Sequence, residues 1–525
     1  MFSYKSSSHN WAYGLTLVLI TYFISHSLMI FVYGAWWDDM ACCWNVSQAE
    51  LLNHWEIVGR NPFMSRLLIF ISGLGDLNIQ TYAFRLFAFI NWMISLIAFF
   101  YILKRTTLNY QFTMFASLIA ASCCMNKCLF LISCFHYTMS ICLFMLGLVA
   151  FVYDYYKRSI WLQLVYSLLW LVSLLIWRTA VLVIPVLIVI ASFIQTDFNY
   201  KEKESYKKCC RYLFSNYYIA IISLALFAII YSLFFKPVGD YTDYYSVKVL
   251  NISVSPITTV SCIVYVALSY IGELFSAVHF LEGKSFVLFF FLLLCVILFL
   301  SRFKVDNEAD KVKSIFIISL VLLFFSIMPQ MFIKDVKLTI GIDGYNSRLT
   351  SLLLFPLSVI LAYLVCLAKQ KYRVLLISVV LTTSIINSIN VYLGYAKGWM
   401  RNESISYFLQ NNSHLKGKKV KILNNALEFN ANTGAGVDTY YEYEGCARYA
   451  YGFNHGTTFS SYYSSLEQDE LFKPDYYLII LKNRDVPRFK TLFFDRFFNK
   501  DEYNDYVKNC LIFNLIKAEE WNTKK

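Results

Sequence analysis

The stretch WAYGLTLVLITYFISHSLMIFVYGAWWDDM, residues 11–40, decides the class of fold. It runs through Trp37 with hardly a charge and then sets two aspartates, Asp38 and Asp39, side by side. Residues 11–36 are too long for a signal-peptide core, and no small-residue cleavage pattern precedes the acidic pair. The segment therefore reads as an uncleaved first membrane span, long enough to cross roughly 30 Å of hydrocarbon. Composition points the same way: the chain is 58% hydrophobic and 15% charged, with a mean hydropathy of +0.52. That profile excludes an ordinary soluble domain and predicts a multi-pass membrane protein.

Working outward from residue 40, apolar runs of spanning length predict about eleven membrane helices. They fall near 11–36, 84–103, 110–126, 135–153, 160–177, 179–196, 214–235, 286–301, 314–332, 350–368 and 374–394. The pair flanking Arg178 is short, and 257–281, with Gly272 and Glu273, reads as an interfacial or re-entrant helix. Basic residues set the orientation. With a cytoplasmic N-terminus the inside loops hold Lys104 and Arg105, Lys157 and Arg158, KEKESYKKCCR, SRFKVDNEADKVK and KQKYR, which satisfies the positive-inside rule. The net charge of +12 is then explained by the bilayer surface, and no nucleic-acid partner is implied.

An odd span count sends the tail to the outer side. The expected fold is an all-α polytopic membrane domain over residues 1–394, with a first extracytoplasmic loop at 37–83, followed by a small extracytoplasmic α/β domain over 395–525. Within the tail NESISYFLQ has helical spacing, whereas KVKILNN and DYYLIIL read as strands. The tyrosine-rich TYYEYEGCARYAYGFNHGTTFSSYYSS reads as a non-periodic loop, either packed on the membrane domain or facing a glycan. Cys42, Cys43, Cys446 and Cys510 fall outside, where a disulfide is permitted but its pairing cannot be deduced. There is no zinc spacing, Walker or Rossmann glycine pattern, or internal repeat.

The first loop carries the chemistry. QAELLNHWEIVG places Leu51, Leu52, Trp55 and Val58 on one face of an amphipathic surface helix. GRNPFMSRLLIFISGLGDLN follows, mostly apolar but with Arg60 and Arg66. A carboxylate pair, a surface helix and juxtamembrane arginines suit chemistry on a lipid head group. Here the sequence resembles the GT-C membrane glycosyltransferases, and among them the bacterial O-antigen glucosyltransferases and the protein O-mannosyltransferase-like enzymes. WWDDM after the first span, GRNP some twenty residues later, YAFRLFAFI with Arg85 opening the second span, and the outer tail carry the resemblance. It implies an inverting enzyme of the bacterial inner membrane that moves a sugar, a glucose-like hexose, from a polyprenyl-phosphate donor to a cell-surface glycan or O-antigen acceptor.

The residue types fit that chemistry independently. Sugar transfer to a hydroxyl needs a base for the acceptor proton, a role that Asp38 or Asp39 can fill. The departing polyprenyl phosphate needs positive charge more than a proton, and arginine binds phosphate oxygens with a planar fork. Candidate donor-phosphate ligands are Arg60, Arg66 and Arg348, with Lys337 behind them. Arg178, interrupting an apolar run, is a secondary candidate and a prospective partner of Glu273; His136 and His54 are also secondary. Each has a plainer reading. Adjacent aspartates can simply end a helix, interfacial arginines snorkel, histidines pack, and Trp36, Trp37 and Trp55 anchor in the interface. Two adjacent carboxylates can hold Mg²⁺ or Mn²⁺ with phosphate oxygens, but without a spaced third acid no metal or other cofactor is assigned. An O-antigen polymerase, or another protein of polyprenyl-linked glycan assembly or transport, is the alternative. Four N-x-S sequons, at Asn45, Asn251, Asn402 and Asn411, all fall outside, so an ER-lumenal enzyme also satisfies the topology.

Overall fold

The structure, a computed structural model, describes residues 8–34, 49, 62–74, 77–123, 127, 131–234, isolated positions between 260 and 297, 309–331, 351–429, 440–452, 454–461 and 472–523. In chain order the helices are α1 (Ser8–His26), α2 (Leu28–Phe31), α3 (Pro62–Ser72), α4 (Leu77–Thr107), α5 (Tyr110–Ser122), α6 (Phe135–Lys157), α7 (Ile160–Ile176), α8 (Val183–Thr196), α9 (Lys203–Asn216), α10 (Tyr218–Phe234), α11 (Ala309–Met331), α12 (Leu354–Leu367) and α13 (Gln370–Asn411). Among the described residues four helices are long and apolar enough to cross a bilayer: Trp11–Phe31, Ile79–Thr107, Phe135–Lys157 and Tyr372–Asn411. A fifth span arises if Lys203–Asn216 and Tyr218–Phe234, bent by 75°, count as one. Apolar helices at Ile160–Ile176, Val183–Thr196, Val312–Met328 and Ser351–Leu367 coincide with four further expected spans but are shorter. The expected 110–126 span forms the 13-residue α5, roughly 20 Å long and too short to cross alone. The expected segments 257–281 and 286–301 lie outside the described residues, isolated positions apart.

Hydrocarbon provides no hydrophobic drive between helices, so contact depends on small residues and hydrogen bonds. The α6–α7 pair shows how. Gly147 lies so close to the Trp170 indole that a Cβ there would meet it at 2.5 Å. The indole nitrogen donates to the Phe144 carbonyl (3.2 Å), and the Ser173 hydroxyl donates to the Ser140 carbonyl (2.7 Å). Gly14 likewise admits the Tyr110 ring between α1 and α5. α5 begins at Asn109, whose side chain accepts from the Phe112 amide (2.9 Å) and caps the helix. Polar bonds tie α1 and α13 into the bundle: Tyr22 donates to the Phe89 carbonyl (2.9 Å), His26 Nδ1 and the Tyr392 hydroxyl share a bond (2.7 Å), and Ser388 donates to the Ser122 carbonyl (2.7 Å).

The last helix links the two parts of the molecule. α13 runs unbroken for 42 residues, roughly 63 Å at 1.5 Å per residue and about twice a hydrocarbon core. It crosses residue 394, where the tail was expected to begin, without interruption, and the residues from Lys397 onward carry it into polar surroundings. Beyond it lie β1 (Lys419–Asn424), α14 (Tyr440–Tyr451), β2 (Thr458–Ser461), β3 (Tyr476–Lys482), α15 (Lys500–Asn509), β4 (Leu511–Lys517) and α16 (Ala518–Thr523). The strands form one mixed sheet in the order β2-β1-β3-β4, with β1 parallel to β2 and β3, and β4 antiparallel to β3. Val420 and Ile422 of β1 and Leu478 and Ile480 of β3 are buried on one face, as the alternation of a half-buried strand requires. The two strands read from the sequence are β1 and β3. The tyrosine-rich stretch is not irregular: it contributes α14, with Tyr443, Cys446 and Ala447 buried at helical spacing, and the edge strand β2. Cys446 and Cys510 are buried free thiols, and burial pushes them up to about 12 and about 11.

Candidate functional site

The described structure ends just short of the acidic pair, and it fixes the chain that leads there. Gly34 has φ +116°, a left-handed conformation that favours glycine, and a Cβ on it would lie 2.0 Å from the Trp399 ring of α13. Arg85 of α4 donates through Nη2 to the Gly34 carbonyl (2.5 Å). The preceding Tyr33 packs edge-on against Trp399, with centroids 5.6 Å apart, and against Tyr82 at 6.0 Å. Residues from α4 and α13 thus hold the backbone four positions before Asp38.

Positive charge gathers around this point. Arg85 (0% exposed), Lys397 (8%) and Arg401 (3%) are buried cations of α4 and α13, and Lys127 (5%) lies in the turn after α5. The Tyr395 hydroxyl donates to the Lys127 carbonyl (3.0 Å), bringing that turn onto α13. Arg401 pairs with Glu442 of α14 at 2.6 Å, both side chains almost wholly buried, and also donates to Asn402 Oδ1. A buried cation is costly unless paired and hydrogen-bonded, so this concentration is no accident of surface composition.

A second cluster docks the tail onto the same corner. Arg496, in the segment before α15, lies 4.2 Å from the centroid of Tyr33 and 3.4 Å from Glu403 of α13. Tyr503 of α15 donates to the other Glu403 oxygen. Burial opposes the Arg496 charge, but Glu403 and the neighbouring tyrosines outweigh it and hold the guanidinium above its ordinary value. Burial, with Glu403 beside it, pushes the Tyr503 phenol well above its ordinary value, and burial pushes Tyr33 up as well. Both phenols therefore remain protonated donors at neutral pH.

Of the residues singled out by sequence, Asp38, Asp39, His54, Arg60, Glu273, Lys337 and Arg348 lie outside the described residues. Arg66 is exposed on α3. Arg178 is half-buried in the turn between α7 and α8, its guanidinium 4.5 Å from the Tyr231 centroid, a cation–π contact. His136 is buried at the start of α6, between Tyr137 (4.3 Å) and Trp177 (5.4 Å). Trp177 immediately precedes Arg178, so these two secondary candidates share one corner. Sequence reading did not select Lys127, Lys397, Arg401, Glu403, Glu442, Arg496 or Tyr503. The available signal was Lys397 and Arg401 at i, i+4 directly after the last apolar run. Among the described residues no three His, Cys, Asp or Glu side chains gather as a metal site. No protein-family model matches the chain, and no curated protein matches it.

Proposed function

We propose that the protein is an integral membrane glycosyltransferase of the GT-C type, taking a sugar from a polyprenyl-phosphate donor on the outer face of a bacterial inner membrane and passing it to a surface glycan. The observation that carries this reading is the burial of Arg85, Lys127, Lys397 and Arg401 around the fixed end of the first helix. Covalent geometry keeps the Asp38 Cα within about 14 Å of Gly34, four residues along an extended chain. Carboxylate and cations are thus kept within one substrate length of each other.

The division of labour follows. The acceptor hydroxyl oxygen attacks the anomeric carbon while Asp38 or Asp39 takes its proton. The bond from that carbon to the phosphate oxygen breaks on the opposite side, inverting the centre, and polyprenyl phosphate leaves with the electron pair. Buried cations suit the phosphate because their field is little screened there. Arg60, Arg66, Arg348 and Lys337 are the further ligands contributed by loops, and the tail, held by Arg496 and Arg401, is the acceptor platform. The eleven-span topology and outward tail belong to the same proposal.

The test is transfer of labelled sugar from polyprenyl-phosphate donors in membranes holding wild type, Asp38→Asn or Asp39→Asn at matched expression. Transfer by wild type that falls by about 10²-fold or more in one variant supports the reading and identifies the base. Wild-type transfer matched by both variants refutes the role of the acidic pair. No transfer from any donor by wild type favours a polymerase or transport role.

A further inference from the structure

The opposite half of the bundle holds a feature that the transfer reaction does not use. Between α4, α6, α8, α11 and α12 lies a cleft of about 310 Å³, with Phe99, Leu103, Phe151, Leu187, Ile318 and Phe355 among its walls. Close-packed interiors contain few voids larger than a water molecule, and ligand pockets begin at about 300 Å³. An apolar cleft of that size among membrane helices suits a hydrocarbon chain.

Its mouth specifies more than hydrocarbon. Thr106, Tyr155 and Tyr156 complete the lining where α4 and α6 end. Arg105 lies 4.6 Å from the Tyr156 centroid, Arg158 5.9 Å from Tyr155, and Lys157 5.9 Å from Tyr153. Lys104 adjoins them, and Lys313 precedes Ser314, a lining residue of α11. The local carboxylates are Asp154, buried and accepting from the Ser159 amide (2.8 Å), and exposed Asp197 at the end of α8. Positive charge therefore predominates, with Arg105, Lys157, Arg158 and Lys313 exposed. Basic pockets between membrane helices on the cytoplasmic side suit anionic head groups, and the positive-inside rule assigns these loops to that side.

We propose that the cleft binds an anionic phospholipid of the cytoplasmic leaflet, with an acyl chain between the helices and the phosphate head group on Arg105, Lys157 and Arg158. Charge complementarity at the mouth selects this occupant over a zwitterionic lipid. The position of the mouth, at the membrane face opposite the acidic pair, selects it over the chain of a polyprenyl donor.

Native mass spectrometry of the full-length protein in detergent, titrated with dioleoyl phosphatidylglycerol or dioleoyl phosphatidylcholine, tests the proposal. Wild type is expected to retain phosphatidylglycerol in preference. The Arg105→Gln, Lys157→Gln double variant should lose about twentyfold of that preference, at roughly fivefold per basic residue. Both side chains are exposed, so the variant keeps its fold. Ser314→Trp, filling the cleft from an exposed lining position, should weaken retention of both lipids. Equal retention of the two lipids by wild type, or a preference that survives the double variant, overturns the proposal. So does displacement of phosphatidylglycerol by polyprenyl phosphate in wild type, which reassigns the cleft to the donor chain. None of these readouts depends on sugar transfer.

Discussion

The α6–α7 contact and the outer junction of α4, α13 and the tail bury side chains equally deeply by opposite means. In the first, Gly147 admits Trp170, and serine hydroxyls bond to one another and to carbonyls without any charge. In the second, Arg85, Lys397 and Arg401 are buried near Gly34, and Arg401 faces Glu442. Uncharged glue is what a membrane interior uses for stability. Buried ion pairs are weak evidence for stability, because desolvation offsets their attraction. The difference teaches that the bundle contact serves the fold, whereas the junction holds charge for another purpose, to position the tail and the acidic loop and to receive an anionic substrate.

The comparison can be broken at either end. Glu442→Ala removes the carboxylate that Arg401 faces and is expected to destabilise the tail by about 3–5 kcal/mol; earlier proteolysis of residues beyond α13 would show it, and unchanged protection would contradict the pairing. Gly147→Leu forces a side chain into the Trp170 indole and should cost about 1–3 kcal/mol, lowering the thermal midpoint in detergent while leaving tail proteolysis alone. Ser173→Ala removes one hydroxyl of the α6–α7 bond and should cost only about 0.6 kcal/mol; a loss several times larger would mean that this contact is not the modest glue described.

The smallest effect is one of pH. His455, in the turn before β2, accepts through Nδ1 from the Thr457 amide (3.0 Å). Burial, with Arg448 and Lys416 adding to it, holds the imidazole below its ordinary value. The unfolded chain therefore takes up a proton that the folded tail resists. Tail stability is fully present above the unfolded value, near pH 6.5, and falls as pH drops below it. Unfolding of wild type at pH 7.5 and pH 5.5, beside His455→Gln, should show a dependence that the variant flattens.

How much of this was legible depended on whether the signal was local. The first span, β1 and β3 were readable because length and alternation are properties of contiguous residues. α14 was obscured by its tyrosines and glycines, although Tyr443, Cys446 and Ala447 had the right spacing. The bend at Tyr217 joins a charged helix to an apolar one and shortens the span expected from residue 214. The junction had no local signature. Gly34, Arg85, Trp399 and Arg496 come from four distant stretches, and only packing brings them together. Arg85 was visible as a charge opening the second span, yet its bond to the Gly34 carbonyl was not.

The most direct measurement compares the two regions in one assay: labelled-sugar transfer from polyprenyl phosphate by wild type, Lys397→Gln and Ser173→Ala at matched expression, with thermal midpoints recorded alongside. If the junction holds its charge for the donor, Lys397→Gln loses transfer by about 10²–10³-fold at an unchanged midpoint, while Ser173→Ala transfers like wild type. If transfer in both variants simply follows the amount of folded protein, or Lys397→Gln transfers at the wild-type rate, the buried charge serves the fold alone and the account is wrong.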